Sequence, residues 1–295
     1  MDFQQTIPRS LVHRAAVSEV FVTDLNILGE DRFEVGAQWP GRHSFFGPCT
    51  PTAHDPMLFA ETCRQAGLLI AHRSYGVPFG HSFLSDRKTY ALDPAGLGTT
   101  GRPVDVVLEV GAHDVKYRGG SGGMRLDFDC YRGGRLVGTG SESGRWISSA
   151  VYRRVRGEHF AATPFQAAVR PTVAPALVGR DRSGDVLLAR TAEPGVCALQ
   201  FDPDHPVLFD HAVDHVPGMV LLEAARQACL LECGDPHALP LRAEIDFAAY
   251  VEFDADCLIR VEAGEVASDG ARAMRVRFRQ NGTESAVATL GMRWS

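Results

Sequence analysis

The sequence predicts an α+β chain made of two tandem copies of one fold, each an antiparallel sheet wrapped around a single long helix. Three observations predict it: ordered matches between the two halves, one helix-length segment per half that is apolar on nearly every side, and strand-like runs after each segment. Residues 1–147 read as the first repeat, 148–182 as a connector and 183–295 as the second repeat.

The repeat comes first. Glu61-Thr62-Cys63-Arg64-Gln65-Ala66 matches Glu223-Ala224-Ala225-Arg226-Gln227-Ala228 at an offset of 223 − 61 = 162, and the same offset carries His43 onto His205. Met124-Arg125-Leu126-Asp127-Phe128 matches Met274-Arg275-Val276-Arg277-Phe278, and the halves close alike on Arg145-Trp146 and Arg293-Trp294. Several matches in one order are economically explained by duplication.

Each element has its own signal. Met57 to His72 and Met219 to Glu232 are poor in breakers and apolar on nearly every side, the pattern of a buried helix. Pro56 and Pro217 stand where a missing N–H and a fixed φ suit a helix start. Strand-like runs follow at His81 to Leu92, Val104 to Lys116, Met124 to Tyr131 and Leu136 to Ile147. The second half repeats them at Leu241 to Val251, Cys257 to Val266, Arg272 to Gln280 and Ser285 to Trp294. Gly133-Gly134 and Asn281-Gly282 mark corresponding tight turns. A helix followed by an antiparallel meander is the outline of a hotdog fold, and two such domains would pair as a pseudo-dimer. Ser148 to Arg182, richer in Arg, Pro and Gly and without a sustained period, is expected to connect them.

Composition narrows the function. A net charge of −6 supplies no cationic field for nucleic acid. Basic charge is almost all arginine, with Lys88 and Lys116 the only lysines. No leader-like apolar stretch opens the chain and no run is long enough to span a bilayer, so a cytoplasmic protein without membrane partners is expected. Seven scattered cysteines without a CxxC pair read as reduced thiols. Cys229 and Cys233, one turn apart, read as buried small hydrophobes, and no metal or cofactor is expected.

The chemistry concentrates on the helices and the loop before the second one. Glu223 and Arg226 share a helix face that Gln227 extends, and Glu61, Arg64 and Gln65 repeat them. Charges on so apolar a helix cost several kcal/mol each in desolvation unless well paired, which points to a catalytic or ligand-binding task, with a buried structural ion pair as the alternative. The loop from Asp204 to Gly218 holds His205, His211 and His215 beside Asp204, Asp210 and Asp214, in no known metal spacing. His211, Pro217-Gly218 and Glu223-Ala224 resemble the H…PG…EA signature of hotdog 3-hydroxyacyl-thioester dehydratases, with two fewer residues between the histidine and Pro-Gly. In such a site the histidine and carboxylate are the catalytic pair, and N–H groups at the helix start hold the thioester carbonyl.

A fuller resemblance, over most of the chain except the connector, is to the AfsA-type family of γ-butyrolactone signal synthases. It is carried by Leu11-Val12-His13-Arg14, Arg32 to Pro40, Asp55 to Gly67, Val77 to Leu84 and Asp204 to Gln227. The resemblance implies condensation of a β-ketoacyl thioester, on acyl carrier protein or coenzyme A, with dihydroxyacetone phosphate. Closure and loss of water would give a phosphorylated butenolide. In that chemistry Glu223 or Glu61 would serve as general base, Arg226 or Arg64 would hold the phosphate, Gly218 would help form the oxyanion site, and His211 would shuttle a proton, with His205 and His215 competing. Gln65 and Gln227 would complete the substrate contacts. A dehydratase or thioesterase, or a non-enzymatic acyl-binding regulator, are the alternatives. Because Cys49 occupies the first-half counterpart of His211, and Asp55-Pro56 that of Pro217-Gly218, the two sites are expected to differ. His211 is then expected to meet Glu61 of the other repeat, and a nucleophilic Cys49 is a lesser possibility.

Overall fold

The computed structural model describes residues 1–47, 52–118, 120–166, 168–267 and 270–294. The chain divides into two compact units, Met1–Gly157 and Glu158–Ser295.

In the first unit a 3-10 turn, Arg9–Val12, precedes a hairpin of β1 (Val22–Gly29) and β2 (Arg32–Trp39). The hairpin turns at Glu30-Asp31, with Asp31 in the left-handed region and Gly29 paired to Arg32. Helix α1 (Pro56–Arg73) follows, then β3 (Ser82–Leu92), β4 (Val104–Arg118), β5 (Ser121–Arg132), β6 (Arg135–Ile147) and the short helix α2 (Ser149–Arg156). The strands lie in the order β1-β2-β4-β5-β6-β3, and their pairings within the unit are antiparallel. This corrects the simple meander: β3 pairs with β6, and β4 pairs with β2 instead.

α1 is the filling. The Asp55 carboxylate accepts from the Met57 N–H at 2.9 Å, Pro56 occupies the first turn, and His72 and Arg73 stand where the helix dipole favours cations. From Pro56 to Ala71 every residue but Arg64 is buried, as all-round apolarity demands. Trp39 Nε1 donates to Thr62 Oγ1 at 3.0 Å, joining the helix to β2. Opposite, the Phe59 ring lies 3.3 Å from where a Cβ on Gly140 would stand, so β6 needs glycine there for the helix to approach.

The second unit repeats the plan with β7 (Leu188–Arg190), β8 (Val196–Leu199), helix α3 (Gly218–Cys233), β9 (Leu239–Phe247), β10 (Cys257–Val266), β11 (Ala271–Gln280) and β12 (Thr283–Arg293). Its strand order, β9-β12-β11-β10-β8-β7, mirrors the first element by element. The hairpin turns set the correspondence: Arg132 pairs with Arg135 around Gly133-Gly134, and Gln280 with Thr283 around Asn281-Gly282, an offset of 280 − 132 = 148. The match of Met124–Phe128 to Met274–Phe278 therefore stands two residues out of register. A slip of two keeps the inward face inward, which is why the sequence tolerates the false alignment.

The stretch expected to connect the halves holds α2 and the 3-10 turns Gly157–His159 and Pro175–Val178. Among the described residues no helix is long and apolar enough to cross a membrane.

Candidate functional site

Each central helix carries one buried ionic network, and the two are near copies. Glu223, with no exposed surface, accepts through Oε2 from Arg226 Nε at 2.8 Å and through Oε1 from Arg226 Nη2 at 2.9 Å. Arg180 Nη2 reaches the same Oε1 at 2.6 Å, and Gln227 Nε2 at 2.7 Å. Gln227 also donates to the Asp185 carbonyl and accepts from the Leu187 N–H. In the first unit Glu61 receives Arg64 (2.9 and 2.8 Å), Arg14 (2.7 Å) and Gln65 (2.7 Å). Gln65 donates to the Glu19 carbonyl and accepts from the Phe21 N–H.

The helix spacing thus unites Glu, Arg and Gln on one face, and tertiary structure adds a second arginine from outside the Glu-x-x-Arg-Gln-Ala repeat. A signal existed: Leu11-Val12-His13-Arg14 and Leu177-Val178-Gly179-Arg180 share Leu-Val-x-Arg at an offset of 180 − 14 = 166. Both follow a 3-10 turn ending in a left-handed residue, His13 or Gly179. Arg180 comes from the stretch expected to be connector, yet it is buried against Glu223.

Electrostatics follow from these contacts. Burial by itself would raise the Glu223 pKa, but the guanidiniums of Arg180 and Arg226 and their hydrogen bonds prevail and lower it to about 2. Glu61 moves the same way, its burial outweighed by Arg14, Arg64 and Gln65. Both carboxylates are therefore ionised at neutral pH. The two arginines differ in access: the Arg64 side chain is 18% exposed and that of Arg226 3%.

The repeated histidines serve as loop clasps. His205 Nδ1 accepts from the Val207 and Leu208 N–H groups, and its Nε2 meets Asp185 at 3.0 Å. His43 accepts from Phe45 and Phe46 and faces Glu19 at 3.3 Å. His211 and His215 are more open. His211 Nδ1 lies 2.6 Å from the buried Asp210 carboxylate while 40% of its side chain is exposed. His215 Nδ1 lies 2.9 Å from Asp214, and its ring meets the Tyr250 ring edge-on. A carboxylate on Nδ1 orients an imidazole and favours Nε2 as proton acceptor.

The helix starts differ as the sequence leads one to expect. α1 begins buried beneath its Asp55 cap. α3 begins at Gly218, half-buried, after Pro217, with no side-chain cap. Its first N–H groups and positive end are thus available to an anionic oxygen. The structure also supplies a reason for glycine other than carbonyl approach: a Cβ on Gly218 would lie 3.0 Å from the Phe247 ring.

His54, just before Asp55, was not singled out in the sequence. It is 2% exposed, its Nε2 has no hydrogen-bond partner among the described residues, and burial, with Arg132 nearby, lowers its pKa to about 4. Cys49 lies outside the described residues. The Cys63 and Cys229 thiols are buried and pushed well above the ordinary range, which suits inert core residues. Among the described residues no cluster of His, Cys, Asp and Glu is set to hold a metal.

Comparison with known proteins places this arrangement. A family model described as the A-factor biosynthesis hotdog domain, AfsA, matches residues 1–148 and again 161–295. The 2-oxo-3-(phosphooxy)propyl 3-oxoalkanoate synthase of Streptomyces virginiae is 42% identical over 291 residues, covering 98% of this chain and 98% of its own. The synthase of the same name from Streptomyces coelicolor is 38% identical, covering 96% of this chain and 90% of its own. An acyl-ACP thioesterase from Bacteroides thetaiotaomicron superposes with a TM-score of 0.52 at 12% identity, over 88% of this chain and 98% of that one. The 12:0-ACP thioesterase from Umbellularia californica gives 0.51 at 12% identity, over 88% and 94%. At that identity the two thioesterases bear on the fold alone, which is hotdog. With both units matched and relatives aligned almost end to end, the chain belongs to the AfsA family of A-factor biosynthesis hotdog proteins.

Proposed function

We propose that this protein is a cytoplasmic synthase that transfers a 3-oxoacyl group from a thioester, on acyl carrier protein or coenzyme A, to the hydroxyl of dihydroxyacetone phosphate. The observation that carries the reading is the near full-length match to synthases whose name specifies the ester 2-oxo-3-(phosphooxy)propyl 3-oxoalkanoate. That name gives the open ester, so acyl transfer is the step assigned; aldol closure and loss of water follow to give the phosphorylated butenolide precursor of a γ-butyrolactone signal.

The second unit offers groups for each part of this step. His211, oriented by Asp210, takes the proton from the attacking hydroxyl, with His215 the competing base. The uncapped N–H groups at Gly218 stabilise the oxyanion that forms as the thioester carbonyl is attacked, and the thiol then leaves. A carboxylate held near pKa 2 by two guanidiniums is a weak base at neutral pH. Glu223 and Glu61 are therefore better suited to fixing the helix face and its arginines than to accepting the proton. Within the second unit Arg226 is the guanidinium for the phosphate, its side chain 3% exposed, and Arg64 is its counterpart in the first unit, at 18%; Gln227 and Gln65 brace the respective faces.

The test is incubation of the protein with a 3-oxoacyl thioester and dihydroxyacetone phosphate, followed by mass spectrometry. The phosphorylated ester or its butenolide, formed only with both substrates, is the expected result. Release of free 3-oxo acid without need for the phosphate would make it a thioesterase. Dehydration of a 3-hydroxyacyl thioester would make it a dehydratase, and binding without turnover a regulator.

A further inference from the structure

Two histidines of the first unit meet ring to ring at the end of α1. His72 Nε2 lies 2.8 Å from His13 Nε2, and both residues are half-buried. The other nitrogen of His72, Nδ1, lies 2.7 Å from the Val77 carbonyl. A carbonyl only accepts, so Nδ1 carries a hydrogen and His72 donates there in either charge state. Val77 is itself fixed: it is 3% exposed, its N–H donates to the Ala71 carbonyl, and it packs with Trp146. Phe83 meets both imidazoles at 5.3 Å edge-on, and Phe79 stacks on His72 at 4.7 Å.

The second unit has glycine at both places. The Leu-Val-x-Arg match sets His13 on Gly179, and the helix offset sets His72 on position 72 + 162 = 234, which is Gly234. There the chain closes on its own backbone: a Cβ on Gly179 would stand 2.6 Å from the Pro236 carbonyl oxygen. Gly179 and His13 share the left-handed region, at φ 65° and 52°. Glycine adopts that conformation without steric cost and histidine does not, so the imidazole at position 13 is kept against a backbone penalty. The same fold therefore joins this turn to its helix without histidines, and the pair in the first unit calls for a reason of its own.

Only one hydrogen fits between two Nε2 atoms 2.8 Å apart. With Nδ1 of His72 already protonated, the closed pair carries at most one positive charge, whichever ring holds the shared hydrogen. Burial lowers the His72 pKa from 6.5; the Val77 carbonyl opposes this and the charge of His81 adds to it. His81 Nε2 in turn meets the Gly120 carbonyl at 3.0 Å. The flanking charges are Arg73 and the Asp31 carboxylate held by Tyr75 at the helix end, Arg64, which donates to the Val12 carbonyl at 3.3 Å, Arg14, and Glu61, which accepts from both Arg14 and Arg64. We propose that His13 and His72 form a pH-operated latch: with one shared hydrogen they hold the Arg9–Val12 turn and Arg14 against the end of α1, and a second proton releases them. His72 stays with the helix through Val77, so His13 is the partner that moves. Its neighbours Val12 and Arg14 are both bonded to the Glu61–Arg64 network, so release loosens the ionic network of the first unit and leaves that of the second intact. The open state binds one proton more than the closed state. Closure therefore weakens as pH falls below about 6.5, by up to about tenfold per pH unit.

The latch does not depend on the acyl-transfer reading. It is tested by hydrogen exchange of the full-length protein between pH 7 and pH 5, corrected for intrinsic rates and read by mass spectrometry. The His13 and Arg14 amides donate to the Ser10 and Arg9 carbonyls, so they report the turn directly. Their protection is expected to fall at least about fivefold more than that of α1 or of Leu177–Arg180. His13→Asn tolerates the left-handed turn and offers His72 an amide that can present either its N–H or its oxygen, so the contact survives both charge states. That variant should stay protected across the range. In the wild type, 15N shifts of the two rings should show two separate protonation steps, the second coinciding with the loss of protection. Flat protection in the wild type, an equal fall in folded His13→Asn, or two rings titrating independently in one step would each overturn the latch. Should His13→Asn fail to fold, the ring titration decides by itself.

Discussion

Glu223 and Glu61 were legible as a repeated charge on an apolar helix; what they are bonded to was not. Arg180 and Arg14 approach from 43 and 47 residues away, a distance at which only a second repeat could have pointed to them. Removing one member of such a network leaves charge stranded in the core. Glu223→Ala is therefore expected to lower stability by about 3–5 kcal/mol, read as a shifted denaturant midpoint, and Arg180→Ala to do the same despite its distance in sequence. A change below about 1 kcal/mol in either would show that the network is relaxed by water or rearrangement. The unequal helix starts predict unequal function. Glu61→Gln and Glu223→Gln should differ by at least about tenfold in turnover, equivalent to about 1.4 kcal/mol. Equal losses, measured as initial rates of ester formation on folded protein, would show the two sites to be equivalent.

The two long helices could be placed in the sequence within a residue or so of their ends, because a leading proline and near-continuous apolarity are local signals. The edge hairpins could not. β1 exposes half of its length in one unbroken run and β7 has three residues, so neither shows the period that marks a strand. The helix starts yield a contrast to measure. Asp55→Ala removes the Met57 cap and is expected to cost about 1 kcal/mol, seen as a lowered melting temperature. Gly218→Ala sets a Cβ against Phe247 at the proposed oxyanion site, so it should cut turnover more than it lowers stability. Adding Phe247→Leu should restore packing in that variant; failure to recover any turnover would place the role of Gly218 in its N–H geometry instead.

Taken over the molecule, the titrations separate into two acid windows. His54 has a folded pKa of about 4 against an ordinary 6.5, so the unfolded chain binds the extra proton and stability falls as pH drops from 6.5 toward 4. Glu223 is displaced downward from 4.5 to about 2, and Glu61 in the same direction, so their contribution is complete above pH 4.5 and is lost as pH falls further. Urea midpoints measured from pH 7 to pH 2.5 should show both steps, with His54→Gln removing the first and Glu223→Gln weakening the second. A flat profile in the wild type down to pH 3 would contradict both assignments.

The sequence by itself determined that this is a duplicated α+β chain with a buried helix per half, and it marked the Glu-x-x-Arg-Gln face and the Asp-His loop. Those features are periodic or contiguous, so a linear reading holds them. It also carried the family, through motifs spread over both halves. Only the tertiary structure decided that β3 crosses to the side of β6, that Arg14 and Arg180 complete the carboxylate networks, that His43 and His205 clasp loops, and that His13 meets His72 where the other unit has Gly179 and Gly234. Each of these is a pairing between segments distant in sequence, fixed by strand register and burial, and no local pattern of residues encodes which partner a buried charge will find.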